Sequence, residues 1–123
     1  MAVAALLTML FRKPYRSVDA QQAAALIADG AVLLDVREPA EWRAGHAPRA
    51  RHIPLGQLAS RLGDVPADRS VITVCRSGAR SQQAAALLAH DGRQVHNLTG
   101  GMHAWISAGM PLQAKGGRPG RLA

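Results

Sequence analysis

The 123-residue chain has one cysteine, four aromatic residues of the Phe, Tyr and Trp types, and no apolar run near the ~20 residues that a bilayer span requires. A single cysteine excludes an internal disulfide, and with it a disulfide-stapled scaffold. It also excludes a thiolate metal cluster within one chain. With aromatics at 3%, the core must be built from Ala, Leu, Val and Ile. Acids are missing from both ends. Residues 1–16 and 113–123 contain no Asp or Glu, and they carry six of the seven net positive charges. The central region is close to neutral, and no basic stripe interleaved with aromatics is present, so nucleic-acid binding is not expected. The five histidines, His46, His52, His90, His96 and His103, lack metal-ligand spacing, so neither a metal nor another cofactor is expected.

What is present is one domain's length of chain with 48% apolar residues, enough for a buried core. Three regions are expected: an apolar and then basic segment at 1–16, a folded domain at 17–112, and a flexible basic tail at 113–123. Val3, Leu6, Leu7 and Leu10 have helical spacing. Eleven residues make a helix of about 16 Å, too short to cross a bilayer. The positive cluster follows this segment instead of preceding it, the reverse of a secretory signal. Three placements stay open for it: packed on the domain or on a second copy, lying at a membrane surface, or a disordered or targeting remnant.

Within the domain, Ser17 is expected to cap a helix with Asp19 in its first turn and Ala24, Ile27 and Ala28 on its buried side. Ala31 to Val36 reads as a strand covered on both faces. Glu38 to Arg43 reads as a short helix, His52 to Pro54 as a brief strand, and Leu55 to Leu62 as a helix stopped by Gly63. Val71 to Val74 and Gln94 to Leu98 are further strands, and Ser81 to His90 and Met102 to Ser107 further helices. Strands alternating with helices imply a parallel sheet covered on both faces. Its ligand site belongs beyond the carboxyl ends of the strands.

Cys75 stands at such an end. It follows Val71–Val74 and precedes Arg76-Ser77-Gly78-Ala79-Arg80-Ser81 and then a helix. Successive backbone N–H groups in such a turn converge on an anion, and the helix N-terminus adds partial positive charge. A cysteine of pKa ~8.5 is only about 3% thiolate at neutral pH. Lowering the pKa by two units takes about 2.7 kcal/mol. A helix terminus supplies about 0.3–2 kcal/mol, and an arginine about 6 Å away up to about 3 kcal/mol. The loop therefore favours an activated nucleophile over a small buried hydrophobe.

The segment CRSGARS resembles the active-site loop of the rhodanese family of sulfurtransferases. Asp35-Val36-Arg37-Glu38-Pro39 with Glu41-Trp42 and Gly45-His46 resembles that family's upstream signature. Gly100-Gly101-Met102-His103-Ala104-Trp105 with Ala108-Gly109-Met110-Pro111-Leu112 resembles its C-terminal one. Together they cover about residues 17–112. The resemblance implies a three-layer α/β rhodanese-like fold: a five-stranded parallel sheet of order 3-2-4-5-1 with helices on both faces. Its first strand would lie near Tyr15 to Val18. It also implies a Cys75 persulfide that carries sulfane sulfur from a small anionic donor such as thiosulfate to a thiol or cyanide-like acceptor. Backbone N–H groups of Arg76, Ser77, Gly78, Ala79, Arg80 and Ser81 would hold the anions, with Arg80 and then Arg76 as the donor-binding side chains. Asp35 and Arg37, at a strand end facing the expected site, would brace the cysteine loop or touch the donor, or else form an ion pair or loop hydrogen bonds of structural value only. The chain departs from the family pattern at Ala47, Arg49 and His52.

Other readings remain beside this one. A sulfur-relay module that docks on a partner would keep the persulfide without efficient turnover. A phosphatase or arsenate reductase of related fold would use five residues between cysteine and arginine, where four stand here. A Cys75–His46 pair and structural roles for Glu41, Trp42 and Trp105 complete the list. A free reactive thiol without an export signal points to the cytosol.

Overall fold

The computed structural model describes residues 13–123. The apolar stretch 1–11 and its three placements lie outside the described residues. The elements in chain order are β1 (Arg16–Val18), α1 (Ala20–Ala28), β2 (Val32–Asp35), α2 (Pro39–Ala44), β3 (Arg51–His52) and α3 (Leu55–Leu58). They continue with a 3₁₀ turn at Leu62–Asp64, β4 (Val71–Val74), α4 (Ala79–His90), β5 (Val95–Leu98), α5 (Gly101–Ser107) and a 3₁₀ turn at Lys115–Gly117.

All five strands are parallel, in the order β1-β5-β4-β2-β3. This is the expected order read from the opposite edge. β2 and β4 lie inside the sheet, and all four residues of each are buried, which is why each reads as a mainly apolar run, interrupted only by Asp35 at the end of β2 and Thr73 within β4. Alternation along the strands divides the core in two. Leu34, Val36, Val71, Cys75 and Val95 pack with Leu58 of α3 and with Ala84, Ala85 and Leu88 of α4. Leu33, Ile72, Val74 and Leu98 pack on the other face with Ala20 and Ala23 of α1 and with Met102 and Trp105 of α5. The result is a three-layer α/β sandwich.

Several expectations are corrected. Ser17 lies in β1, and Asp19 is the N-cap of α1. The Asp19 carboxylate accepts the Gln22 N–H at 2.7 Å while the Gln22 side chain accepts the Asp19 N–H at 2.9 Å. That reciprocal capping box satisfies two donors, which Ser17 would not have done. Ala20 and Ala23 are the buried residues of α1, and Ala28 is exposed. Leu55 to Leu62 is not one helix, because α3 ends at Leu58 and a separate 3₁₀ turn follows. α4 begins two residues before Ser81, at Ala79.

The segment 113–123, expected as a flexible tail, is laid back along the domain. Gln113 exchanges backbone hydrogen bonds with His46, 2.9 Å each way, and the Arg121 N–H donates to the Ala44 carbonyl at 2.9 Å. Leu122 packs against the core. The close approach needs two glycines. A Cβ on Gly45 would lie 2.7 Å from the Arg121 nitrogen, and one on Gly120 would lie 2.8 Å from the Gln113 carbonyl carbon.

Candidate active site

β4 delivers Cys75 to the base of a turn that becomes α4. Gly78 is the N-cap of α4 at φ +125°, a conformation costly to any residue with a Cβ. It turns its N–H inward to donate to Cys75 Sγ at 3.0 Å. Ser81, in the first turn of α4, places its Oγ 3.3 Å from the sulfur. Thr73 on β4 donates its hydroxyl to the Ser81 carbonyl at 2.9 Å and so ties strand to helix beneath the sulfur. The turn is held from behind by α5. The Met102 N–H donates to the Cys75 carbonyl at 2.8 Å, and the His103 N–H to the Arg76 carbonyl at 3.2 Å. Gly101, at φ +58°, permits this, because a Cβ there would collide with those same carbonyls.

The hydrogen bonds let the sulfur change charge in place. With Cys75 protonated, its S–H donates to Ser81 Oγ, and the Ser81 hydroxyl donates to the Gly78 carbonyl at 3.0 Å. With Cys75 ionised, the Ser81 hydroxyl turns to the sulfur. The Gly78 carbonyl stays satisfied by the Gln82 N–H at 3.0 Å. Burial pushes the thiol pKa up. The hydrogen bonds from the Ser81 hydroxyl and from the backbone N–H groups of Ser81, Gly78 and Ser77 outweigh it and bring the pKa below the ordinary thiol value. Cys75 is only 1% exposed, deeper than a solvent-poised nucleophile would be.

Both arginines of the turn are engaged by other parts of the chain. Arg80 grips Glu41 of α2 in a bidentate pair, Nη1 to Oε1 at 2.6 Å and Nη2 to Oε2 at 2.9 Å. Arg76 donates its Nε to the Ala123 carbonyl at 2.9 Å. Hydrogen bonding, not a guanidinium on the sulfur, is therefore the main charge-stabilising influence on Cys75. Glu41, read from sequence as a structural residue, becomes the partner of the loop's second arginine. The hydrogen bond from Arg80 holds its carboxyl at about 2, against the opposing pull of burial and aided by the Glu38 N–H and the Arg80 and Arg37 charges. Beyond its place in the upstream signature, its sequence signal is an acid at the third position of α2, where it also closes a capping box on Glu38.

Asp35 and Arg37 do not reach the cysteine loop by any hydrogen bond. Both side chains are fully buried and pair at 2.7 Å, and Arg37 Nη2 donates to the Gly45 carbonyl at 2.7 Å. They brace the Gly45 turn and have no surface to offer a donor. His46 gives its Nδ1 to the Trp42 carbonyl at 2.8 Å and stacks on the Trp42 ring at 3.7 Å. His52 lies parallel to the same indole at 4.8 Å. His46 thus forms part of an aromatic stack and is no base for Cys75. Trp105 is buried, its indole N–H donating to the Pro111 carbonyl.

Residues 19–108 match the rhodanese-like domain family. A sulfurtransferase of Allochromatium vinosum is 40% identical over 103 residues, covering 81% of this chain and 96% of that protein. The thiosulfate sulfurtransferase GlpE of Pseudomonas entomophila is 35% identical over 94 residues, covering 76% of this chain and 86% of that one. Against two other curated relatives the chain spans 60% and 36% of their length. A crystal structure of a rhodanese-related protein from Thermoplasma volcanium superposes with a TM-score of 0.75 at 31% identity, covering 80% of this chain and 97% of that one. With a five-stranded parallel sheet that leads from its central strand into a cysteine turn, the chain belongs to the rhodanese family.

Proposed function

We propose that the protein is a sulfurtransferase that moves sulfane sulfur through a Cys75 persulfide. The observation that carries this reading is the sulfur itself, held at 3.0 Å from the Gly78 N–H and 3.3 Å from the Ser81 hydroxyl at the N-terminus of α4. That environment favours an anion on sulfur without a neighbouring base. The Cys75 thiolate attacks the outer sulfur of thiosulfate. A new S–S bond forms, the bond to the sulfonate sulfur breaks, and sulfite departs with its electron pair. An acceptor nucleophile, a thiolate or cyanide, then attacks the terminal sulfur of the persulfide, and the Cys75 thiolate leaves. No net oxidation is required.

The terminal sulfur of the persulfide takes over the anionic charge and needs the same donors. The 76–81 turn supplies them from backbone, where they cost no reorganisation during reaction. Because Cys75 is buried, the turn must open toward solvent for the donor to enter. Arg76, Ser77 and Ala79 already lie exposed on its outer side. Arg76 and Arg80, released from the Ala123 carbonyl and Glu41, are the cations available to the donor's sulfonate.

Intact mass after mixing with thiosulfate tests the reading. One sulfur is gained by the wild type and none by Cys75→Ser, and cyanide then removes it as thiocyanate. An unchanged mass in the wild type sinks the proposal. Turnover with thiosulfate and cyanide separates an enzyme from a relay module. Hydrolysis of a phosphate ester lost in Cys75→Ser would point instead to phosphatase chemistry.

A further inference from the structure

β4 carries Cys75 after its last residue. At its other end lies a second concentration of positive charge. A hollow of about 350 Å³ is lined by Arg49, Arg51 and Arg69, with Ile27, Ala31 and Val32 in its apolar wall. Three separate parts of the chain meet here. Arg51 opens β3 and sits beside Leu34 of β2, and Arg49 precedes it by two residues. Arg69 lies two residues before Val71, which pairs with Val32. All three arginines are exposed, and among the described residues none is in a salt bridge. Asp29 and Asp68 line the adjoining hollow, which shares Arg69, without coming within ion-pair distance of it.

Two features here cost stability without a visible return. Three like charges line one small hollow, and among the described residues no acid is paired with any of them. Arg49 also has φ +68°, the one positive φ at a non-glycine position among the described residues. A few per cent of non-glycine residues take that conformation, and glycine would take it without strain. A multivalent anion offsets the repulsion, and its binding gives the strained Arg49 backbone a reason to persist.

We propose that the Arg49–Arg51–Arg69 hollow binds a compact phosphate-bearing anion, with its oxygens shared among the three guanidinium groups. Its position at the far end of β4 separates it from the cysteine turn, so the anion and the sulfur donor occupy the protein together.

The test is a titration of the ¹⁵N-labelled full chain with inorganic pyrophosphate at low salt, followed by amide and arginine Nε–H shifts. Saturable shifts are expected at Gly30, Arg49, Arg51 and Arg69, and they are the same in Cys75→Ser. Arg49→Gly, which relaxes the backbone, melts no lower than the wild type and binds about tenfold more weakly. Arg51→Gln and Arg69→Gln each lose a similar factor. A parallel titration with ADP identifies the source of the phosphate. Tighter binding than pyrophosphate assigns a nucleotide whose organic part lies on Ile27 and Val32, and equal or weaker binding assigns an inorganic phosphate. Absence of saturable shifts, shifts confined to residues 76–81, or unchanged affinity in the triple variant overturns the proposal. None of these outcomes depends on the sulfur chemistry of Cys75.

Discussion

Two acid–arginine pairs sit at the carboxyl ends of the strands and do different work. Asp35 and Arg37 are two residues apart and wholly buried. Glu41 and Arg80 are 39 residues apart, and their side chains are 19% and 33% exposed. The first pair has no route to solvent; Arg37 Nη2 also donates to the Gly45 carbonyl, and its buried Nη1 has no hydrogen-bond partner among the described residues. Its charges stay paired because each is costly alone in the interior. The second pair joins α2 to the first turn of α4. Water competes with it, so it is weaker and can be broken by an arriving anion. Burial decides which pair is locked into the fold and which stays open to exchange with solvent.

The largest expected effect breaks the inner pair. Arg37→Met leaves the Asp35 carboxylate buried beside an apolar side chain, at a cost of about 3–5 kcal/mol. Urea unfolding of purified variants measures it. The double variant Asp35→Leu with Arg37→Met recovers much of that loss, because no charge is then stranded. A loss below about 1 kcal/mol in the single variant would erase the distinction between the pairs.

The outer pair is tested next. Glu41→Gln frees Arg80 and lowers stability by about 1 kcal/mol, discounted for its contact with water. The acid limb of stability carries the same information. The folded-state pKa of Glu41 lies at about 2, below its ordinary value of 4.5. The contribution is therefore complete above pH 4.5 and disappears as pH falls toward 2. In Glu41→Gln that part of the pH dependence is absent. Arg80→Ala raises the KM for thiosulfate about tenfold, with kcat less affected, if the freed guanidinium meets the donor.

The contrast also explains what was legible in the sequence. β2 and β4 are short, mostly apolar runs and β5 is a mostly buried segment with His96 and Asn97 inside it, each bounded by turn residues, so sheet, helices and the Cys75 turn could be read directly. The three motifs supplied the strand order. β1 could not be read unaided. It has three residues, two of them exposed, and a single buried Val18, so it carries no periodicity. Ser17 and Asp19 are equally good caps on paper, and only Gln22 decides between them. The side of α1 that faces the core was obscured because alanines occupy both sides. The Glu41–Arg80 pair and the return of 113–123 past Gly45 depend on contacts across tens of residues. The tail's charge and glycine content resemble a solvated end, and nothing local shows that Gly120 must pass Gly45.

The smallest expected effect is the most informative about the sulfur. The sequence reading drew the lowered thiol pKa from the helix N-terminus and the turn's N–H groups together with a nearby arginine, which implies that Arg80→Ala raises it. The geometry assigns it to the Ser81 hydroxyl and the turn's N–H groups. Ser81→Ala removes one donor to the thiolate, while the Gly78 carbonyl keeps its bond from Gln82. The fold is therefore barely disturbed, and the thiol pKa rises. Iodoacetamide alkylation against pH reads this as a shift of the inflection to higher pH and slower labelling at neutrality. Ser81→Thr, which keeps the hydroxyl, restores the wild-type profile. In Glu41→Gln and Arg80→Ala the inflection moves much less. If Arg80→Ala moved it more than Ser81→Ala did, the outer pair, and not the hydroxyl beneath the turn, would be governing the nucleophile.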